Sequence, residues 1–380
     1  MKALLAVLLS CAALAARAGA PAETVDPPPI AARAYVLVDA LSGQTLAARD
    51  ADERFDPASL TKLMTSYVVF AALRDHEIDE DRPIAPSASA ANAAGARMFL
   101  EAGKPVTIHE LLQGLIVDSG NDAAIALAQA IAGSEERFVE RMNREAQRLG
   151  LADTHFANPT GAPGPDHYST ARDLAKLALA LIRDFPDRYP LYGQKEFAYN
   201  GLRQANRNRL LWSDPAVDGE KAGETDAAGY CLVASARRGE RRLVAVVLGA
   251  RTDGLRTSES QKLLNFGYQA YETRRVYAKG KPVAEPRIYK GTKSRVALGF
   301  AHDVWLTLPS GRFDGIRAVL VTRQPFVAPL AAGEKAGIMK LMRDNSPLAQ
   351  FPVVALEDVP VSGFLSRGWD TLKLMVRSSP

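Results

Sequence analysis

The sequence is short of the groups that would place it in several large classes. Its two cysteines, Cys11 and Cys231, cannot supply a multi-bridge disulfide framework. Five scattered histidines, with no H-E-x-x-H and no close pair, give no metal-ligand spacing. No metal and no cofactor is expected. Neither sign of charge dominates, since 47 basic residues face 43 acidic ones, so there is no electrostatic case for nucleic acid. Repeats at solenoid or propeller periods are missing. What remains is ordinary globular composition, with 47% hydrophobic and 24% charged residues over 380 positions. That length suits one large domain and a smaller one.

The first residues read as an export signal. Lys2 gives the positive start, Ala3 to Ala16 is an uncharged apolar run, and Ala16-Arg17-Ala18 fits a cleavage site. Ala18-Gly19-Ala20 fits too, but it puts Pro21 just past the cut. The run is shorter than the roughly 20 residues of a membrane span. A buried N-terminal helix and a lipoprotein site at Cys11 are the alternatives, and apolar residues continue past Cys11. The expectation is a signal peptide over 1–18 and a Pro-rich linker over 19–30. Cys11 leaves with the leader, and Cys231, in the apolar stretch YCLVASA, reads as a small core residue.

A catalytic-sized domain is expected over 31–276. Ala34 to Asp39 reads as a strand, and a helix is expected from Ser59 to Leu73. Thr107 and Glu110 form a capping box, and apolar or amphipathic helices follow over Asp122–Ile131 and Ser134–Leu149. YCLVASA and RLVAVVLGA flank a polar turn as a hairpin, and Gln261 to Arg274 reads as a helix. Beyond that, short apolar runs between Gly and Pro turns predict a β-rich domain over 277–360. The last stretch, 361–380, is amphipathic. Val361, Phe364, Leu365, Trp369, Leu372, Met375 and Val376 fall on an arc of about 140° at helical spacing. A basic helix of this kind suits the plane of a membrane surface, and docking on its own protein is the alternative.

Three short motifs carry chemistry. Ser59 and Lys62 stand in PASLTK at the start of an apolar helix, and residues three apart share a helix face. Serine needs a neighbouring base, and lysine serves as one only with a lowered pKa, through burial or a nearby cation. Ser119-Gly120-Asn121 lies in a tight connection between two helices. Its hydroxyl can relay a proton, and its amide can hold a lysine or a substrate. Lys221-Ala222-Gly223 leads into the hairpin, where a cation can bind a carboxylate and Gly223 allows close backbone approach. Lys335-Ala336-Gly337 repeats the triplet in the other predicted domain, so three letters alone mean little.

Order and spacing give the motifs weight. S-x-x-K, S-x-N about sixty residues on, and K-x-G about one hundred further form the set of penicillin-binding proteins and serine β-lactamases. PASLTKLMTSYV, DSGNDAAIALA, TDAAGYCLVASA and the stretch from Arg251 to Lys262 resemble D-alanyl-D-alanine carboxypeptidases of the penicillin-binding protein 5 type. The resemblance implies an α/β (α+β) fold: a penicillin-recognising, β-lactamase-like domain, a small all-β domain and a C-terminal amphipathic helix. It implies that Ser59 forms an acyl-enzyme with Lys62 as base, and that Ser119 and Asn121 complete the relay and substrate contacts. Lys221, Gly223 and Arg256 would meet the substrate, and the backbone N–H groups of Ser59 and Glu224 would bind the oxyanion. The implied partners are peptidoglycan stem peptides, β-lactams as inhibitors, and the inner-membrane surface through 361–380, in the periplasm.

The third motif departs from the family pattern. That pattern is K-T-G followed by His, where this chain has Ala222 and Glu224. Losing the hydroxyl removes a bond to a charged group worth roughly 1.5–3 kcal/mol. Glu224 adds negative charge where a carboxylate should bind, so weaker carboxypeptidase turnover or a shifted leaving group is expected. A non-catalytic wall-binding paralogue is the rival reading. A class A β-lactamase is disfavoured, because no E-x-x-L-N lies between Ser119 and Lys221.

Overall fold

The computed structural model describes residues 24–364 and 367–371. The expected signal peptide, part of the linker and most of the terminal amphipathic run lie outside the described residues. The chain divides into two compact units, Glu23–Thr273 with Thr307–Arg312, and Arg274–Leu306 with Phe313–Pro380.

The first unit is built on strands β1 (Ala34–Asp39) and β2 (Thr45–Arg49), then helices α1 (Lys62–Arg74), α2 (Ile108–Ile116), α3 (Asn121–Ala132), α4 (Glu135–Arg148) and α5 (Ala171–Asp184). Strands β3 (Val217–Gly219), β4 (Ala222–Thr225), β5 (Gly229–Arg238) and β6 (Arg241–Ala250) follow, then helix α6 (Asp253–Ala270). The sheet runs β2-β1-β6-β5-β3, with β4 also paired to β5, and its pairings are antiparallel.

Successive strand residues point to opposite faces, and both faces are covered, which explains the nearly unbroken apolar runs. Val36, Val38, Val233, Val244 and Val246 join the core under α1 to α5. Tyr35, Leu37, Leu232, Leu243 and Val247 join a second core with Leu263 and Leu264 of α6. Cys231 is fully buried on the first face, as a core residue should be.

Helix starts follow their caps. The Thr107–Glu110 capping box is present, and Ser134 accepts from the Arg137 N–H at the start of α4. The expected helix over Gln261–Arg274 is displaced. Thr252 caps α6 by accepting from the Leu255 N–H at 3.1 Å, and β-prone Tyr271–Tyr277 is a strand.

The second unit holds a four-stranded antiparallel sheet of Leu298–Gly299, Ser346–Ala355, Lys335–Arg343 and Arg317–Thr322. The second Lys-Ala-Gly triplet begins the Lys335–Arg343 strand there. Val361, Phe364 and Trp369, the described apolar positions of the terminal run, are all exposed. Among the described residues no helix is long and apolar enough to cross a membrane.

Candidate active site

The nucleophile's surroundings begin with one tight turn. Ser59 lies in a 3₁₀ turn, Ala58–Thr61, that runs directly into α1, so the expected helix starts three residues late. Ala58 holds a left-handed φ of 47°, a strained setting for a residue with a Cβ. Asp56 pins the turn from below, accepting from the Ala58 N–H and the Thr225 hydroxyl of β4, both at 2.8 Å.

Two glycines let other segments close on this turn. A Cβ on Gly161 would lie 1.9 Å from the Ala58 carbonyl oxygen, and one on Gly223 would lie 3.1 Å from the Ser59 nitrogen. Gly223 was expected to admit substrate backbone. It lines the catalytic cavity, and it also admits the nucleophile's own turn to the edge of β4.

Lys62 is buried, and its Nζ meets three oxygens. Asn121 Oδ1 is at 2.7 Å, the Thr160 carbonyl at 2.6 Å and Ser59 Oγ at 3.1 Å. The first two can only accept, so a neutral amine spends both of its N–H groups on them. Its lone pair then faces the Ser59 hydroxyl. Burial is the main cause that lowers the Lys62 amine to about 7, followed by the charge of Arg207. A neutral base near physiological pH is therefore available.

The supports of Lys62 are themselves held. Asn121 Nδ2 donates to the Ala94 carbonyl at 2.6 Å, which fixes its Oδ1 toward the lysine. Asn158 Oδ1 gathers the Thr160, Gly161 and Ala162 N–H groups at 3.1, 2.8 and 3.0 Å, and the Thr160 hydroxyl at 2.9 Å. That carboxamide shapes the turn presenting the Thr160 carbonyl. The sequence reading missed Asn158 and Thr160.

Ser119 sits between α2 and α3 at a φ of 60°, buried, and its Oγ has no hydrogen-bond partner among the described residues. A cavity of about 740 Å³ opens at these groups, lined by Ser59, Ser119 and Asn121 together with Ala94–Ala96 and Thr160–Pro163. Arg207, Glu224 and Arg256 line it as well.

Strand β4 forms one edge. Lys221 exchanges both backbone bonds with Val233, so the antiparallel alternation turns the Glu224 N–H away from β5. Lys221 itself is buried and does not border the cavity. Burial pushes its amine well below the usual range, with Lys62 and Arg207 adding to the fall. Arg207 thus joins as a cation acting on Lys62, and Lys62 and Lys221 also repel each other. Arg256 does border the cavity, while donating to the Gly223 carbonyl at 3.0 Å and pairing with Asp253 at 2.7 Å. The described residues contain no cluster of three or more His, Cys, Asp or Glu fit to hold a metal.

Two sequence families match this chain, D-alanyl-D-alanine carboxypeptidase over residues 21–252 and penicillin-binding protein 5, C-terminal domain, over 271–361. The D-alanyl-D-alanine carboxypeptidase DacC of Escherichia coli is 42% identical over 356 residues, 92% of this chain and 89% of that protein. DacF of Bacillus subtilis is 36% identical, over 88% of this chain and 87% of its own length. The crystal structure of penicillin-binding protein 5 from Haemophilus influenzae superposes with a TM-score of 0.86 at 41% identity, covering 88% of this chain and 99% of that one. With its hydroxyl, buried amine and carboxamide gathered at one turn, the chain belongs to the D-alanyl-D-alanine carboxypeptidase family of serine hydrolases.

Proposed function

We propose that this protein is a serine-type D-alanyl-D-alanine carboxypeptidase that trims the terminal D-alanine from peptidoglycan stem peptides. Ser59 Oγ attacks the penultimate D-alanine carbonyl as Lys62 takes its proton. The N–H groups of Ser59 and Glu224 receive the oxyanion. Ser119, whose hydroxyl has a free hydrogen-bonding valence, passes the proton to the leaving amine. Water then hydrolyses the ester, with Lys62 as base again. Arg256 and Arg207 hold the substrate carboxylate, with Lys221 buried near them. β-Lactams acylate the same serine. Catalysis here calls on no cofactor.

The observation that carries this reading is the amine of Lys62 held by two acceptors with Ser59 at 3.1 Å. The test is D-alanine release from a pentapeptide, and mass mapping of a labelled penicillin. Wild type should release D-alanine and carry the label on Ser59, and Ser59→Ala should do neither. Folded wild-type protein that neither takes the label nor releases D-alanine would favour the non-catalytic wall-binding paralogue, a reading that rests on Ala222 and Glu224.

The same proposal places the protein in the periplasm, exported by residues 1–18. Its catalytic domain is taken as 31–276, its β domain as 277–360 and its inner-membrane contact as 361–380. The exposed apolar side chains of Val361, Phe364 and Trp369 support that last assignment.

A further inference from the structure

A second cavity, of about 660 Å³, adjoins the catalytic one. Arg207, Glu224 and Arg256 line both, so the two spaces meet at these three residues. Past the junction the walls include Arg209, Trp212 and Tyr230. Arg207 and Arg256 are the only cations among the residues that line the catalytic cavity. A substrate carboxylate must therefore lie at the arginine end, and the second cavity opens beyond it, on the leaving-residue side of the scissile bond.

The charges at the junction are unevenly committed. Asp253 is held by both Arg209 and Arg256, at 2.7 Å each. Arg207 and Glu224, both exposed, have no ion-pair partner among the described residues. Glu224 accepts a hydrogen bond from the Tyr230 phenol across the β4–β5 pair, and that bond with the carboxylate's charge raises the phenol above the usual range. Trp212 leaves nearly half of its surface open, at 46%. One cation and one anion without ion-pair partners, beside an apolar indole, make a site for a zwitterion joined by methylenes. The methyl group of D-alanine would leave it empty.

We infer that this second cavity is a leaving-residue pocket, which takes a D-amino acid with an alkylammonium side chain in preference to D-alanine. The inference rests on the carboxypeptidase reading above and names its substrate class. The carboxylate stays at Arg207 and Arg256, the methylenes lie on Trp212, and the ammonium meets Glu224. The chemistry is unchanged. Ser59 Oγ bonds to the carbonyl carbon, the amide C–N bond breaks, and the departing amine takes the proton. Water then restores Ser59 and leaves a carboxylic acid. Glu224 is a departure from the family's histidine, so the preference belongs to this chain.

The test compares release of the last residue from diacetyl-L-Lys-D-Ala-D-Ala and diacetyl-L-Lys-D-Ala-D-Lys by the full-length protein. The D-lysine peptide should have the higher kcat/KM, by about tenfold, the size of a few matched contacts in a pocket. Glu224→Gln and Trp212→Ala should each bring that ratio toward one, with penicillin labelling of Ser59 reporting a folded site. A wild-type ratio at or below one, or a ratio that neither variant moves, overturns the pocket and leaves the carboxypeptidase reading standing. Release from neither peptide overturns both.

Discussion

The two walls that meet at Ser59 are built differently. On the helix side, the two acceptors that hold Lys62, Asn121 and Thr160, are themselves held by further hydrogen bonds, and S-x-x-K and S-x-N are intact. On the strand side, β4 keeps its backbone direction while two of its side chains differ from the family pattern. A side chain that must place a proton tolerates no change, because geometry and pKa fail together. A strand that contributes N–H groups tolerates side-chain change, because its ladder sets the direction of the backbone.

The largest effect should come from breaking the helix side at one remove. Asn158→Ala frees the turn that presents the Thr160 carbonyl and should lower kcat for D-alanine release by about 100-fold, with KM little changed. An equal rise in KM would show that this turn binds substrate instead. The strand side should respond in the opposite direction. Ala222→Thr with Glu224→His should raise kcat/KM for a D-Ala-D-Ala peptide by about tenfold, the value of one bond to a charged group. No change would mean that these side chains do not meet the carboxylate.

The pH response sharpens the contrast further. Lys62 works as the free amine, and burial brings it down to about 7. Penicillin acylation should therefore rise with pH through a midpoint near 7 and level off more than a pH unit above it. Removing a repelling cation favours the ammonium, so Arg207→Ala should move that midpoint upward. A midpoint that stays put would assign the shift to burial alone.

The smallest effect lies behind the strand. Glu220 is fully buried beside Lys221, and burial raises its carboxyl from 4.5 to about 8. The folded protein keeps a proton there that the unfolded chain releases, so stability falls as pH rises between those values. Glu220→Gln should raise Tm by a few degrees at pH 8 and by less at pH 5. A gain of equal size at both pH values would mean that this carboxyl does not titrate with folding.

Legibility followed the kind of signal each feature leaves. Ser59, Lys62, Ser119 and Asn121 were readable because their spacing is a chemical constraint, and the structure brings all four together. The capping box and the two-core hairpin were readable from local pattern. Thr160 was not, because it acts through a carbonyl that every residue possesses. Asn158-Pro-Thr-Gly161 was nonetheless a turn signal that could have marked the segment. Arg207 is one of 47 basic residues, and only the fold sets it beside the lysine. The start of α6 was misplaced because Thr252, a sound cap, went unrecognised.

Cys231 has a practical bearing on all of this. Its sulfur is sealed in the core, and burial lifts the thiol to about 11, so it presents almost no thiolate to a reagent. In protein produced without residues 1–18, a cysteine engineered at exposed Phe364 would be the lone addressable handle for a fluorophore, without prior removal of native thiols.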